Sequence, residues 1–197
     1  MNVLPVLSYV LISTFTPGPS NITTTSLAVL HGYKATLRYQ AGLAVVVFVF
    51  MVLAGWLSTW LLAILPALEP LLRYAGAAYI LYLAWSILKA TYAFAEQEVE
   101  PLGFVHGVML QSLNPKLFVY AFTLFAGFLA PIANQPSQVV LAAALLAATA
   151  FIATSVWALF GSAIKRFLHI AWLRTTVNIL LALALVYTAL ELIELNN

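Results

Sequence analysis

The stretch Thr16-Pro17-Gly18-Pro19-Ser20-Asn21 interrupts a charge-free run from Val3 to Leu30, and Ser112-Leu113-Asn114-Pro115-Lys116 interrupts a second apolar run from Phe104 to Ala130. Each run is long enough to cross a bilayer, because about 20 apolar residues span ~30 Å of hydrocarbon. Proline has no backbone N–H, and its ring displaces the carbonyl four residues back. Pro17 is therefore expected to free the carbonyl of Ser13, Pro19 that of Phe15 and Pro115 that of Gln111. At ~1.5 Å per helical residue, Pro17 lies about 21 Å from Val3 and Pro115 about 16 Å from Phe104, so both breaks fall near mid-bilayer.

The rest of the chain fits a membrane reading. Its 197 residues are 64% hydrophobic and 7% charged, with a mean hydropathy of +1.03. A soluble domain has about 45–50% apolar and about 25% charged residues, so a water-soluble fold is excluded. The chain has no Asp, and its first charge is Lys34. A net charge of +2 offers no basic stripe for nucleic acid. With Cys 0, disulfides, thiolate metal sites and a membrane dithiol relay are ruled out. Met1-Asn2-Val3 lacks a cationic leader, so the first apolar run is expected to remain as a spanning helix.

Six spans are expected: Val3–Leu30, Ala41–Leu65, Leu71–Leu88, Phe104–Ala130, Val139–Ile164 and Ala171–Ile193. Their length and lack of period-two alternation argue against an outer-membrane barrel. Cations resist translocation and mark cytoplasmic loops. Lys34, Arg38, Lys89, Lys165, Arg166 and Arg174 fall in the first, third and fifth loops, against Arg73 alone on the other side. Those loops are expected in the cytoplasm and both termini outside.

The two breaks are 98 residues apart (115 − 17), and the same shift lays the second span on the fifth and the third on the sixth. Three spans per half is an odd number, so the second half must enter from the opposite face. The expected fold is all-α: a polytopic membrane protein of six helices in a 3+3 inverted-topology repeat, with helices 1 and 4 broken. It forms one membrane domain, with 1–90 the first repeat, 91–103 a polar cytoplasmic loop and 104–197 the second repeat. Pro/Gly-interrupted segments at corresponding positions of two halves point to a transporter's substrate site.

Freed carbonyls can accept from an ammonium group, while a restarting helix offers N–H groups and a dipole to an anion. Ser20 and Asn21 are expected to cap the first restart. A zwitterion suits such a site, so an amino acid is the natural ligand. The bland alternative is a pair of kinks. Lys116 near mid-membrane costs about 2.5–3.5 kcal/mol on insertion scales, which marks it as functional or as a partner of the freed carbonyls. The candidate substrate set is Thr16, Pro17, Gly18, Pro19, Ser20, Asn21, Asn114, Pro115 and Lys116, with Lys116 and His106 as candidate proton-coupling residues. His31 and His106 otherwise read as interfacial hydrogen-bonding residues and Asn178 as glue between helices. Trp56, Trp60, Trp85, Trp157 and Trp172 read as an aromatic belt. No acid lies deep in a span, which disfavours a buried carboxylate relay.

These motifs resemble the LysE superfamily of amino-acid exporters, specifically its RhtB (homoserine/threonine exporter) branch. The resemblance covers nearly the whole chain. His31-Gly32-Tyr33-Lys34, Tyr74-Ala75-Gly76-Ala77-Ala78-Tyr79-Ile80-Leu81-Tyr82, Leu113-Asn114-Pro115-Lys116 and Trp157-Ala158-Leu159-Phe160-Gly161 all share in it. Asn178 to Tyr187 looks closest to the cysteine/O-acetylserine exporters of that branch. Thr36 and Ala84 depart from it, standing where relatives commonly have Gly. The resemblance implies export of small amino acids or derivatives from the bacterial cytoplasm across the inner (plasma) membrane by proton exchange.

Rival readings are a divalent-metal exporter, for which Asp, buried Glu and Cys are missing, and a non-transporting assembly subunit. No Gly-x-Ser-x-Gly, His-Glu-x-x-His or buried acid pair suggests an enzyme. The expected partners are a small amino acid and the lipid bilayer, with no nucleic acid, no metal and no cofactor; a homo-oligomer is admitted.

Overall fold

In hydrocarbon every backbone polar group must be satisfied within its own segment, which favours helices throughout. The structure, a computed structural model, describes residues 3–56, 71, 74–75, 77–85, 88, 102–165 and 171–194, with the side chains at 3, 126, 127, 165, 171, 174, 178, 191, 192 and 194 outside that description. Among the described residues there is no strand. The helices are α1 (Val3–Phe15), α2 (Pro19–His31), α3 (Tyr33–Trp56), α4 (77–85), α5 (Phe104–Ser112), α6 (Pro115–Phe122), α7 (Pro136–Lys165) and α8 (Ala171–Glu194). A π-helical turn, Thr123–Phe128, extends α6. Tyr33–Trp56 and Pro136–Ile164 are long and apolar enough to cross a membrane, and Leu4–Phe15, Pro115–Phe125 and Thr175–Leu190 are shorter apolar helices.

The expected connection at 31–40 is helical instead. Only Gly32 breaks the chain: its φ of 86° lies where glycine alone is comfortable, and its N–H closes α2 on the Ala28 carbonyl. Helix-compatible residues follow at once, with Lys34 and Arg38 exposed four residues apart on one face. These charges therefore mark where α3 leaves the apolar layer, not where the helix starts. Likewise α7 begins at Pro136, before the span expected from Val139, because proline suits the first helical position. Residues 57–65 of the second expected span, Arg73, Lys89, Glu69 and the loop at 91–100 lie outside the described residues, as do Trp60 and the side chain of Asn178.

Side chains sort by polarity in the sense a lipid solvent demands. Val45, Val49 and Leu53 make an exposed stripe on α3, and Leu180, Leu183, Tyr187 and Leu190 make one on α8. Monomeric soluble proteins rarely expose contiguous apolar surface on this scale. Two buried clusters form the interior. One joins Ile22, Leu27, Tyr39, Leu43, Ile80, Leu83, Leu110 and Leu185; the other joins Val10, Val47, Met51, Leu117, Phe125, Val139 and Leu146. Helix α3 supplies both, and the seam between them falls between Leu43 and Val47.

Glycines bring the helix backbones together. A Cβ on Gly42 would strike the Phe104 carbonyl oxygen, and one on Gly107 would strike that of Tyr39, so α3 and α5 touch backbone to backbone. A Cβ on Gly161 would lie 2.5 Å from the Thr25 carbonyl oxygen, which puts α7 equally close to α2. Small residues at such crossings are the usual means of packing helices in lipid.

Candidate functional site

Helix α1 ends at Phe15 and α2 begins at Pro19; α5 ends at Ser112 and α6 begins at Pro115. Both interruptions open onto one cavity of about 70 Å³ at the seam of the two clusters. At about 10–15 Å³ per water-sized group, it has room for about five such groups. Ser13, Thr14, Gly18, Pro19, Ser20 and Asn21 line it from the first break, and Gln111, Asn114 and Lys116 from the second. Leu43, Val47, Leu117, Tyr120, Ala150 and Thr154 complete the lining. Thr16, Pro17 and Pro115 shape the breaks but do not line the cavity. Neither does His106, which sits in the first turn of α5, where its main-chain carbonyl accepts from the Tyr79 hydroxyl at 3.2 Å.

The first restart differs from the expected cap. Gly18 is the N-cap, Pro19 follows it, and no side chain caps the helix. Ser20 and Asn21 thus stand inside the first turn, because proline takes the first helical position. Their side chains do other work. Ser20 Oγ donates to Gln111 Oε1 at 2.6 Å, joining the two breaks. Asn21 Nδ2 reaches back to the carbonyls of Thr14 and Thr16, each at 3.0 Å. Helix geometry leaves the main-chain N–H groups of Ser20 and Asn21, both lining residues of the cavity, without intrahelical carbonyls.

The second restart does have a side-chain cap. Asn114 Oδ1 accepts from the Lys116 N–H at 3.1 Å, and Asn114 Nδ2 donates to Ser20 Oγ at 3.3 Å and Gln111 Oε1 at 3.4 Å. The Lys116 side chain crosses to the first break, where Nζ donates to the Thr16 carbonyl at 3.2 Å. An ammonium has three donors, so this bond leaves two for other partners.

Two of the three carbonyls that proline releases have partners close by. The Phe15 carbonyl accepts from Trp157 Nε1 at 3.2 Å, and the Gln111 carbonyl accepts from the Asn114 N–H at 3.3 Å. Trp157 is thus no belt residue: it is half-buried and ties α7 to the first break. Trp56, Trp85 and Trp172 are exposed.

Sequence reasoning missed Gln111, Trp157 and a buried network on α3 and α7. Gln40 Oε1 accepts from Thr154 Oγ1 at 3.2 Å and Ser155 Oγ at 2.8 Å, and Gln40 Nε2 donates to Thr36 Oγ1 at 2.7 Å. An amide inside an expected span was the available signal for Gln111. For Gln40, placing the helix boundary at Ala41 hid it in a loop.

Polar groups turned inward on a cavity between two helix starts, with apolar side chains turned outward, define a helical membrane transport protein. The chain belongs to the LysE type translocator family, whose model matches residues 11–195. Among curated proteins it is 35% identical to the Cysteine/O-acetylserine efflux protein of Klebsiella pneumoniae over 187 residues, 95% of this chain and 94% of that protein. The Salmonella typhimurium protein of the same name is 36% identical over 186 residues, 94% of each chain. That of Escherichia coli K12 is 35% identical over 185 residues, again 94% of each. No solved structure gives a significant match.

Proposed function

We propose that this chain exports small amino acids or their derivatives from the cytoplasm across the bacterial inner membrane, by alternating access and proton exchange. The observation that carries the reading is the convergence of an uncapped helix start, a lysine and main-chain acceptors on one cavity. Those groups complement both ends of a zwitterion. The efflux proteins similar to the chain act, by their names, on cysteine and O-acetylserine, which fits small amino acids.

In this reading the carboxylate is held by the Ser20 and Asn21 main-chain amides, the Ser20 hydroxyl and Lys116. The ammonium meets the Thr16 carbonyl, Asn114 and the carbonyls freed at the breaks. Pro17, Gly18, Pro19 and Pro115 keep the two helices interrupted. Arrival of a carboxylate draws Lys116 off the Thr16 carbonyl and gives that acceptor to the ammonium, so one exchange of partners serves both ends of the ligand. Helices α1 and α2 are the two parts of one broken span, α5 and α6 those of another. The three-helix repeats at 1–90 and 104–197, of opposite topology and joined by the loop at 91–103, rock about the cavity with both termini outside. Lys116 is the first candidate for proton coupling and His106 the second.

The test is efflux from cells loaded with peptides to raise internal amino-acid pools. Selective release of one or two small amino acids by the wild type, absent in Lys116→Ala protein present in the membrane, supports the reading. Identical medium profiles for wild type, mutant and empty cells would sink it.

A further inference from the structure

Beyond the two breaks, and beside Leu117 and Tyr120 of α6, the cavity is lined by two i, i+4 pairs: Leu43 and Val47 on α3, Ala150 and Thr154 on α7. Residues four apart share one helix face, so each pair presents a single strip to the cavity. Three of the four are apolar, and Thr154 is the polar member. Its side chain is held from behind. Oγ1 lies 3.2 Å from Gln40 Oε1, 3.1 Å from the Ala150 carbonyl and 3.0 Å from that of Phe151. A hydroxyl has one proton and two lone pairs. All three neighbours are acceptors competing for that proton, and among the described residues no donor reaches the lone pairs.

The elements behind Thr154 are built to keep it so. Gln40 is fully buried, and its Oε1 also accepts from Ser155 Oγ, which in turn accepts from the Tyr33 hydroxyl at 3.3 Å. Gln40 Nε2 donates to Thr36 Oγ1 at 2.7 Å, and Thr36 Oγ1 donates to the Tyr33 carbonyl at 2.7 Å. A buried amide in an apolar layer is costly unless its hydrogen bonds are met, and here both ends are met. Thr36 thus supplies one link of this network from α3 itself. The network keeps Gln40 an acceptor toward Thr154, which leaves the Thr154 oxygen an acceptor toward the cavity.

We infer that Thr154, oriented by Gln40, is a specificity-determining residue that selects amino acids carrying a hydrogen-bond donor on the β-carbon, a hydroxyl or a thiol, over apolar isosteres. The inference rests on the amino-acid export reading and deepens it. With the carboxylate and ammonium engaged at the breaks, a short side chain extends toward the facing strips. There Leu43, Val47 and Ala150 accept its apolar surface and Thr154 Oγ1 accepts its proton. An isostere ending in methyl leaves that acceptor unmatched, and unmatched buried polar groups give sites their discrimination.

The experiment uses proteoliposomes of the full chain, preloaded with equal L-serine and L-2-aminobutyrate, which differ by a hydroxyl against a methyl. The readout is the ratio of the two efflux rates, which is independent of how much protein is active. Thr154→Val should lower the serine-to-aminobutyrate ratio about tenfold, and Thr154→Ser should restore it. Gln40→Leu, which releases the Thr154 hydroxyl without touching the cavity, should lower the ratio about threefold. An unchanged ratio in Thr154→Val would overturn the inference. So would an equal loss of both substrates in that variant with the protein present in the membrane, since a purely structural threonine behaves that way. Wild-type vesicles that release neither amino acid would refute the export reading itself, and this inference with it.

Discussion

Helices α1 and α2 are 13 residues each and meet at the Thr16-Pro17-Gly18 break, yet their surroundings are opposite. In α1, Leu4 is 72% and Ile12 67% exposed; in α2, Thr24 and Ser26 are fully buried. A soluble protein would place them the other way round. Three of the α2 hydroxyls are buried at little cost because they bond their own helix: Thr24 Oγ1 to the Ser20 carbonyl at 2.7 Å, Thr25 Oγ1 to that of Asn21 at 2.8 Å and Ser26 Oγ to that of Ile22 at 2.9 Å. The apolar side chains of α1 need no cover when the solvent is lipid. The helix that looks water-soluble is the core, and the one that looks like core is the skin.

The difference extends to the second break. Helices α2 and α5 lie against their neighbours through glycine, at Gly161 and at the Gly42–Gly107 pair. Helix α1 packs by side chains, through Val10 into the second cluster and through Tyr9 stacked at 5.8 Å on Tyr120. One side of the cavity is clamped backbone to backbone, and the other rests on side chains that can shift.

The largest effect should come from the link between the breaks. Lys116→Met keeps an unbranched side chain, one atom shorter, but removes its charge and its bond to the Thr16 carbonyl. Hydrogen bonds to charged groups contribute about 1.5–3 kcal/mol, so efflux should fall about 10- to 100-fold while membrane insertion, followed by immunoblot, stays normal. Unreduced efflux would show that the two breaks act independently. Next is the clamp. Gly107→Ala drives a methyl into the Tyr39 carbonyl and should cost about 1–3 kcal/mol of stability, read as a lower melting temperature in detergent. Ile12→Ala on the exposed face of α1 should change it by less than about 0.5 kcal/mol. Equal shifts for the two would erase the asymmetry between the sides.

These contrasts separate what could be read from the chain and what could not. Proline at 17, 19 and 115 marks where α1 gives way to α2 and α5 to α6, because a missing N–H acts locally and shows in the letters alone. The apolar runs likewise set the helical class. Helix boundaries were harder: Lys34 and Arg38 read as a loop because charge reports depth in the membrane, whereas only Gly32 breaks the backbone. The caps were misjudged at Ser20 and Asn21, since proline shifts the register by taking the first helical position. Gln111, Gln40 and Trp157 owe their roles to partners 91, 115 and 142 residues away, and no local pattern encodes such distances.

A smaller effect should follow from the Ser20–Gln111 bond, which joins the breaks beside Lys116. Ser20→Ala and Gln111→Ala should each weaken apparent substrate affinity, and the double variant should be less impaired than the sum of the two. A coupling of about 0.5–1.5 kcal/mol is expected for one such bond. Half-saturation concentrations for the four proteins close that cycle, and strict additivity would mean that Ser20 and Gln111 do not act on the ligand together.

The smallest effect on efflux among the residues at the breaks is expected at Trp157, yet it bears most directly on the contrast between α1 and α2. Its indole N–H holds the last carbonyl of α1, while its own carbonyl lies 3.3 Å from Thr25 Oγ1 on α2. One residue of α7 thus grips both sides of the break, and does so unequally: α2 keeps its glycine contact at Gly161 without the indole, whereas α1 loses its tether. Trp157→Phe retains the ring and removes the donor. Hydrogen bonds between membrane helices contribute about 0.6 kcal/mol on average, so efflux should change about threefold. The chain has no native cysteine, so a single one placed at Ser13 or at Ala28 reports each helix separately. If α1 is the mobile partner, the Trp157→Phe background should speed thiol labelling at Ser13→Cys and leave it unchanged at Ala28→Cys. Faster labelling at both positions would mean that the break moves as one body and that the softness of α1 is only apparent.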